Sequence, residues 1–203
     1  MMMGLDLIIS ALIQLVLFSV ITFGYWLLLR RKSHRSFFQW LGLKKPVITG
    51  RRRFVFWFIG SIIALCVPGF FMTAFVLDGN VLASSQFYGA GLSAVFPALV
   101  YSLLQTGLSE EVFFRGFLGK ELSRRFGFAL GNVIQASLFG LLHAVMLAGT
   151  AGTVNALAVA VLTAFAGWCM GFINEKLSGG SIVPSWLMHG LVNLLSCFYM
   201  MFS

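Results

Sequence analysis

Residues 93–118 read SAVFPALVYSLLQTGLSEEVFFRGFL. The run is long enough to cross hydrocarbon as one helix, which needs about 20 mainly apolar residues. Yet it carries Glu110, Glu111 and Arg115 near its end. An ionisable side chain inside a span costs roughly 2.5–3.5 kcal/mol on insertion scales, so such residues are retained for function or are paired. Two questions follow. Is the rest of the chain built to lie in a membrane, and what do the charged groups meet there?

Composition answers the first. Of the 203 residues, 59% are hydrophobic and 10% are charged, against about 25% charged in an ordinary soluble domain. Disorder is excluded, since it needs low hydrophobicity and high charge. A soluble globule is excluded for want of polar surface. The reading is an all-α polytopic membrane helix bundle with about six transmembrane helices. The expected spans are 5–29, 54–77 (with Pro68 as a kink), 93–118, 128–148, 154–173 and 182–202. The first lacks a basic leader and a small-residue cleavage site, so it is expected to remain as a span. Residues 1–203 read as a single integral membrane domain with no linker.

The net charge of +8 is unevenly spread. Nine of the 14 Lys and Arg fall in residues 30–53, with none of the six acids. This basic loop reads as cytoplasmic, in reach of anionic headgroups at about 1 kcal/mol per basic residue. Lys120, Arg124, Arg125 and Lys176 fall in the other loops expected on the same side. The opposite loops, around 78–91 and 149–152, hold no Lys or Arg. The positive-inside pattern puts both termini outside. Without an aromatic-interleaved basic face, the charge is no sign of nucleic-acid binding. Cys66, Cys169 and Cys197 lie in apolar runs without CxxC spacing and read as small core residues. Gly167 and Gly171 have GxxxG spacing, read as close packing inside the bundle rather than as a dimer seam.

The second question turns on spacing. Glu111 and Arg115 are i, i+4 and can form an ion pair. Glu110 lies about 100° round the helix and needs another partner. Phe139 and His143 are i, i+4 on the fourth span, and His189 and Asn193 on the sixth. At 1.5 Å per residue, Glu110 lies roughly 15 Å, His189 roughly 10 Å and His143 roughly 22 Å from the cytoplasmic edge. Tilt of a turn or two brings them level. A lone histidine in a span reads as a polar staple between helices. Two carboxylates, two histidines, an arginine and an amide on three spans exceed what packing requires.

A carboxylate in an apolar site can serve as a general base near neutral pH. A neutral histidine beside it can hold a water molecule, and a second histidine and an amide can donate to a developing oxyanion. These are the parts of an amide hydrolase using activated water. Ser109 would be a nucleophile only with a base in reach. Glu110, His143 and His189 also match a three-ligand zinc shell with an open position, although the helical H-E-x-x-H is absent. A transporter or proton relay would use such groups too, but no inverted repeat is visible.

Glu110-Glu111-Val-Phe-Phe-Arg115 resembles the EExxxR motif of the CAAX protease and bacteriocin-processing family of intramembrane endopeptidases. Phe139-Gly-Leu-Leu-His143 is similar to its FxxxH motif, and His189-Gly-Leu-Val-Asn193 to its HxxxN motif. Gly179–Pro184 resembles the family's small-residue approach to the last helix. The resemblance covers residues 93–200 and leaves residues 1–90 unmatched. It implies a membrane protease acting on a peptide or protein tail held at the lipid bilayer, in a bacterial cytoplasmic membrane. It further implies that Glu110 activates water with His143, that His189 and Asn193 form the oxyanion site, and that Glu111, Arg115 and Phe139 support them. No cofactor is favoured, because an oxyanion role explains Asn193 and a zinc shell does not. Zinc on Glu110, His143 and His189 is the alternative. A non-catalytic peptide-binding or bacteriocin-immunity protein is the alternative function.

Overall fold

An apolar chain in hydrocarbon must satisfy its backbone internally, and the helix does this within one segment. The computed structural model describes residues 2–33, 36–77 and 82–203, and no strand occurs among them. Helix α1 spans Met2–Leu29. Helix α2, Phe37–Leu41, is capped by the Ser36 hydroxyl, which accepts from the Gln39 N–H, and ends at Gly42 with φ 89°. That left-handed turn favours glycine. Helix α3, Arg51–Phe71, contains Pro68 and widens into a π-helical turn at Met72–Val76. Helix α4, Val95–Val100, begins a rod that runs through two π-helical segments, Tyr101–Leu108 and Glu111–Gly119, into α5, Lys120–Phe126. Helices α6, Phe128–Ala151, α7, Thr153–Phe172, and α8, Val183–Met201, complete the bundle.

Five helical runs are long and apolar enough to cross a membrane: Gly4–Leu29, Arg51–Val76, Gly91–Phe126, Phe128–Ala151 and Thr153–Leu177. The expected span at 182–202 forms a helix, α8, but is not among these five. Ser185, His189, Asn193 and Ser196 break its apolar run. Neighbours cover one side of it, where Met188, His189, Cys197, Met200 and Met201 are buried, while Leu187, Leu191, Leu195 and Tyr199 are exposed on the other. The third span is longer than expected, because the rod continues past the basic edge to Phe126. Large apolar side chains such as Leu28, Phe56 and Val154 are exposed, as a lipid-facing surface requires.

The basic stretch is folded into the bundle. The Gly42 carbonyl accepts from the Ile182 N–H at 2.9 Å, and the Lys44 carbonyl from the Ser181 hydroxyl at 2.6 Å. Val47 and Thr49 donate their N–H groups to the Ser178 and Leu177 carbonyls at 3.2 and 3.3 Å. Leu41 packs with Val112 and Ile182. Arg30 pairs with Glu121 at 2.6 Å and Lys120 with Glu175 at 2.8 Å. The ends of α1, the rod and α7 are thus gathered at one edge. Residues 34–35 of the basic loop and 78–81 of the opposite loop lie outside the described residues.

Helices α6 and α7 approach closely through small residues. A Cβ on Gly140 would strike the Ala160 carbonyl oxygen and the Ala164 backbone, and one on Gly167 would meet Ala136 Cα at 3.1 Å. Gly171 faces the Asn132 amide. The GxxxG spacing is therefore a seam inside the bundle, as expected. All three cysteines are free, Cys169 and Cys197 buried and Cys66 half-buried. Gly140→Leu should force α6 from α7, at about 1–3 kcal/mol for overpacking, read as a lower melting temperature in detergent. Gly149→Leu, where no atom lies within 4 Å of the new Cβ, should melt no lower than wild type.

Candidate active site

The motif residues of the rod sit where its turns are widened to i→i+5 bonding, a geometry frequent at functional sites. Glu111 projects inward with its side chain fully buried, and Arg115 Nη1 lies 3.1 Å from Glu111 Oε1. The expected ion pair is present. The same oxygen accepts from His189 Nδ1 at 3.1 Å. One carboxylate oxygen thus joins the EExxxR and HxxxN segments.

Phe139 holds the third motif against these two. The Arg115 guanidinium carbon lies 4.1 Å from the centroid of the Phe139 ring, a cation–π distance. The ring also meets His189 edge-on at 5.9 Å and His143 at 4.6 Å between centroids. Behind it stands Phe114, at 4.9 Å. His143 Nδ1 lies 2.8 Å from the Phe139 carbonyl oxygen. A carbonyl only accepts, so Nδ1 carries the proton there. In a neutral ring, Nε2 is then left as the acceptor.

Glu110 Oε2 lies 3.9 Å from His189 Nε2. This oxygen is buried and makes no hydrogen bond among the described residues. His189 is thus flanked by Glu111 on one nitrogen and Glu110 on the other. Asn193 Nδ2 donates to Thr106 Oγ1 at 2.7 Å, which leaves one amide N–H uncommitted.

A cavity of about 390 Å³ opens on this cluster. Phe139, His143, His189 and Asn193 line one part, and α3, α7 and α8 supply an apolar remainder that includes Phe70, Leu162 and Tyr199. The structure therefore brings His143, His189 and Asn193 to one hollow, with Glu110 against His189 and with Glu111 and Arg115 behind it. Glu110 and His143 share no direct hydrogen bond or ion pair among the described residues. No three His, Cys, Asp or Glu side chains among them cluster closely enough to hold a metal ion.

Several supporting residues were not visible as motif members. Thr106 receives Asn193, and Met170 Sδ lies 3.2 Å from Arg115 Nη2. Asn174 Nδ2 donates to Ser185 Oγ at 2.7 Å, and its Oδ1 accepts from the Ser185 N–H at 3.3 Å, one turn before His189. Trp186 Nε1 donates to the Leu103 carbonyl at 2.7 Å. In the wall beside Arg115, Gln135 and Asn132 donate to the Gly167 and Trp168 carbonyls at 2.9 and 3.0 Å. The available signal was amides and hydroxyls recurring in apolar runs.

A family model described as Rce1-like type II CAAX prenyl endopeptidase matches residues 92–195, which contain all three motifs. No curated protein and no solved structure matches the chain. With its matched segment covering more than half of the sequence, the chain belongs to the Rce1-like type II CAAX prenyl endopeptidase family.

Proposed function

We propose that this protein is an intramembrane endopeptidase that hydrolyses a peptide bond in a membrane-associated peptide or protein tail with an activated water. One observation carries the reading. His189 is fixed at Nδ1 by Glu111, while its Nε2 faces Glu110 Oε2, which has no hydrogen-bond partner among the described residues, and the ring lines an open, largely apolar cavity. In this reading Glu110 takes a proton from water as the water attacks the scissile carbonyl, and His143 helps to hold that water through Nε2. The negative charge then develops on the carbonyl oxygen. Asn193 offers its free N–H to that oxygen. His189 offers Nε2–H when its ring carries both protons, with Glu111 as its countercharge. Glu110 then gives its proton to the amine as the C–N bond breaks. Glu111 and Arg115 hold the imidazole and touch no reacting atom.

The family's name points to a prenylated C-terminal tail. The apolar wall from α3 and α7 suits such a chain, while the histidines and Asn193 meet its peptide. The basic edge gathered around residues 30–53 supports a cytoplasmic placement of that edge, with both termini outside, and the proposal places the protein in a bacterial cytoplasmic membrane. Zinc on Glu110, His143 and His189 is the other activator to weigh, and it has less support. Among the described residues no three ligating side chains converge, and Glu111 is committed to Arg115 and His189.

The two acids separate in experiment. Glu110→Gln should lower cleavage of a quenched fluorescent peptide ending in a farnesylated CAAX tail by about 10²–10⁴, the worth of a general base. Its melting temperature should stay near wild type. Glu111→Gln should strand Arg115 in the bundle and destabilise the fold by about 3–5 kcal/mol, seen as loss of folded protein in size-exclusion chromatography. Full cleavage by purified Glu110→Gln removes the central role assigned here. Wild-type protein that binds the peptide yet yields no fragments turns the reading into peptide binding without turnover.

Asn193→Ala should lower kcat by about 10²–10³, as the removal of one oxyanion donor does elsewhere, with KM little changed. Elemental analysis of active protein should find no stoichiometric zinc, and chelators should leave cleavage intact. One zinc per chain, with activity lost on its removal, would overturn the metal-free reading.

A further inference from the structure

The widened turns leading to Glu110 are closed by two hydroxyls, each held by an amide from a different helix. Thr106 Oγ1 donates to the Tyr101 carbonyl at 3.1 Å and accepts from Asn193 Nδ2 on α8 at 2.7 Å. Ser109 Oγ donates to the Gln105 carbonyl and accepts from Gln14 Nε2 on α1 at 3.1 Å. The chemistry is the same on both flanks. A hydroxyl returns its proton to a carbonyl four or five residues back and offers a lone pair to a neighbouring amide. One of these amides belongs to the HxxxN motif. The other, Gln14, lies outside the matched residues 92–195.

Gln14 is part of a parallel seam. Gln105 Nε2 donates to Ser10 Oγ at 2.9 Å, and the Phe18 and Phe113 rings stack at 5.1 Å. Ser10–Gln105, Gln14–Ser109 and Phe18–Phe113 advance four residues at a time on both helices. The register is locked at the basic edge, where Tyr25 donates to Glu121 at 2.8 Å. Ser109 is fully buried and directly precedes Glu110. Interhelical hydrogen bonds in membranes are worth about 0.6–2 kcal/mol, enough to choose between rotations of one helical turn.

We propose that Gln14 is a positioning residue for Glu110. By holding the Ser109 hydroxyl it sets the rotation of the widened turn, and so the aim of the Glu110 carboxylate at His189. The proposal rests on Glu110 being the water-activating base. Helix α1 then belongs to the catalytic apparatus, although no motif falls on it. A displacement of about 1 Å in a reacting group can cost 10²-fold in rate, so a turn with one flank released should work poorly while binding its substrate normally.

The test uses full-length Gln14→Met, with Gln14→Leu as a second variant, on the farnesylated CAAX peptide. We expect kcat to fall at least about 10-fold with KM within about two-fold and a melting temperature lowered no more than in Ser10→Ala, which also loses one interhelical bond. Ser109→Ala should show the same loss, and the double variant should lose no more than either single one, as for two residues acting as a unit. Ser10→Ala, which opens the same seam one turn away, should keep wild-type kcat. Wild-type kcat in both Gln14 variants overturns the proposal. So does an equal loss in Ser10→Ala, or losses that multiply in the double variant. Hydrogen exchange across residues 106–113 gives a readout that needs no cleavage. It should quicken in Gln14→Met and stay as in wild type in Ser10→Ala, and unchanged exchange in Gln14→Met also overturns the proposal. Full activity of Glu110→Gln would instead remove the functional reading, whatever Gln14 does.

Discussion

The arrangement depends on one oxygen. Glu111 Oε1 receives Arg115 from its own helix and His189 from α8, each at 3.1 Å, with the acid and the arginine buried among helices. A lone carboxylate at that depth would be expelled or neutralised. Paired on both sides, it becomes a fixed post. The guanidinium is placed in turn by the Phe139 face beneath it and by Met170. The imidazole is placed by the Asn174–Ser185 latch, which sets where α8 begins. Three helices without a soluble core to organise them are registered by a few polar contacts. In lipid, apolar surface alone gives helices little reason to choose one register over another.

The widening of the rod is the second condition. An i→i+5 turn loosens the bonding of nearby carbonyls, and side-chain hydroxyls at Thr106 and Ser109 take up part of it. On a regular helix, successive acids point about 100° apart. Here Glu110 and Glu111 reach the two nitrogens of a single imidazole. A ring caught between neighbouring acids has little freedom to rotate, which is what a group meeting a developing charge requires.

The sequence made much of this legible. The lengths of the apolar runs placed five spans, and i, i+4 spacing disclosed the Glu111–Arg115 pair and put His189 with Asn193 on one face. Its limits have physical causes. A π-helical turn leaves no residue signature here, so the reach of Glu110 to His189 was hidden. Helix α8 forms where expected, though polar residues in its run keep it out of the five most apolar helical runs. Its polar face is covered by protein rather than lipid. The basic stretch looked like a loop because charge marks the side of a membrane and says nothing of the Gly42 and Lys44 carbonyls that receive α8. The contact of α1 with Ser109 stayed hidden because Gln14 is a single amide in an apolar run, and only the fold reveals what it faces.

In the proposed reaction the two adjacent acids divide the work between them by burial. Glu111 is fully enclosed and its charge is answered twice. Removing a proton from water would mean giving up the contacts that hold three helices together. Glu110 has a side chain 15% exposed and an oxygen with no hydrogen-bond partner among the described residues, 3.9 Å from the imidazole. A group free to gain and lose a proton must be one the fold does not lean on. The same reasoning divides the histidines. His189 is gripped at one nitrogen by a carboxylate. His143 rests on a backbone carbonyl and keeps a lone pair toward the cavity. In the proposed hydrolysis one ring donates and the other accepts, and a bound water needs both.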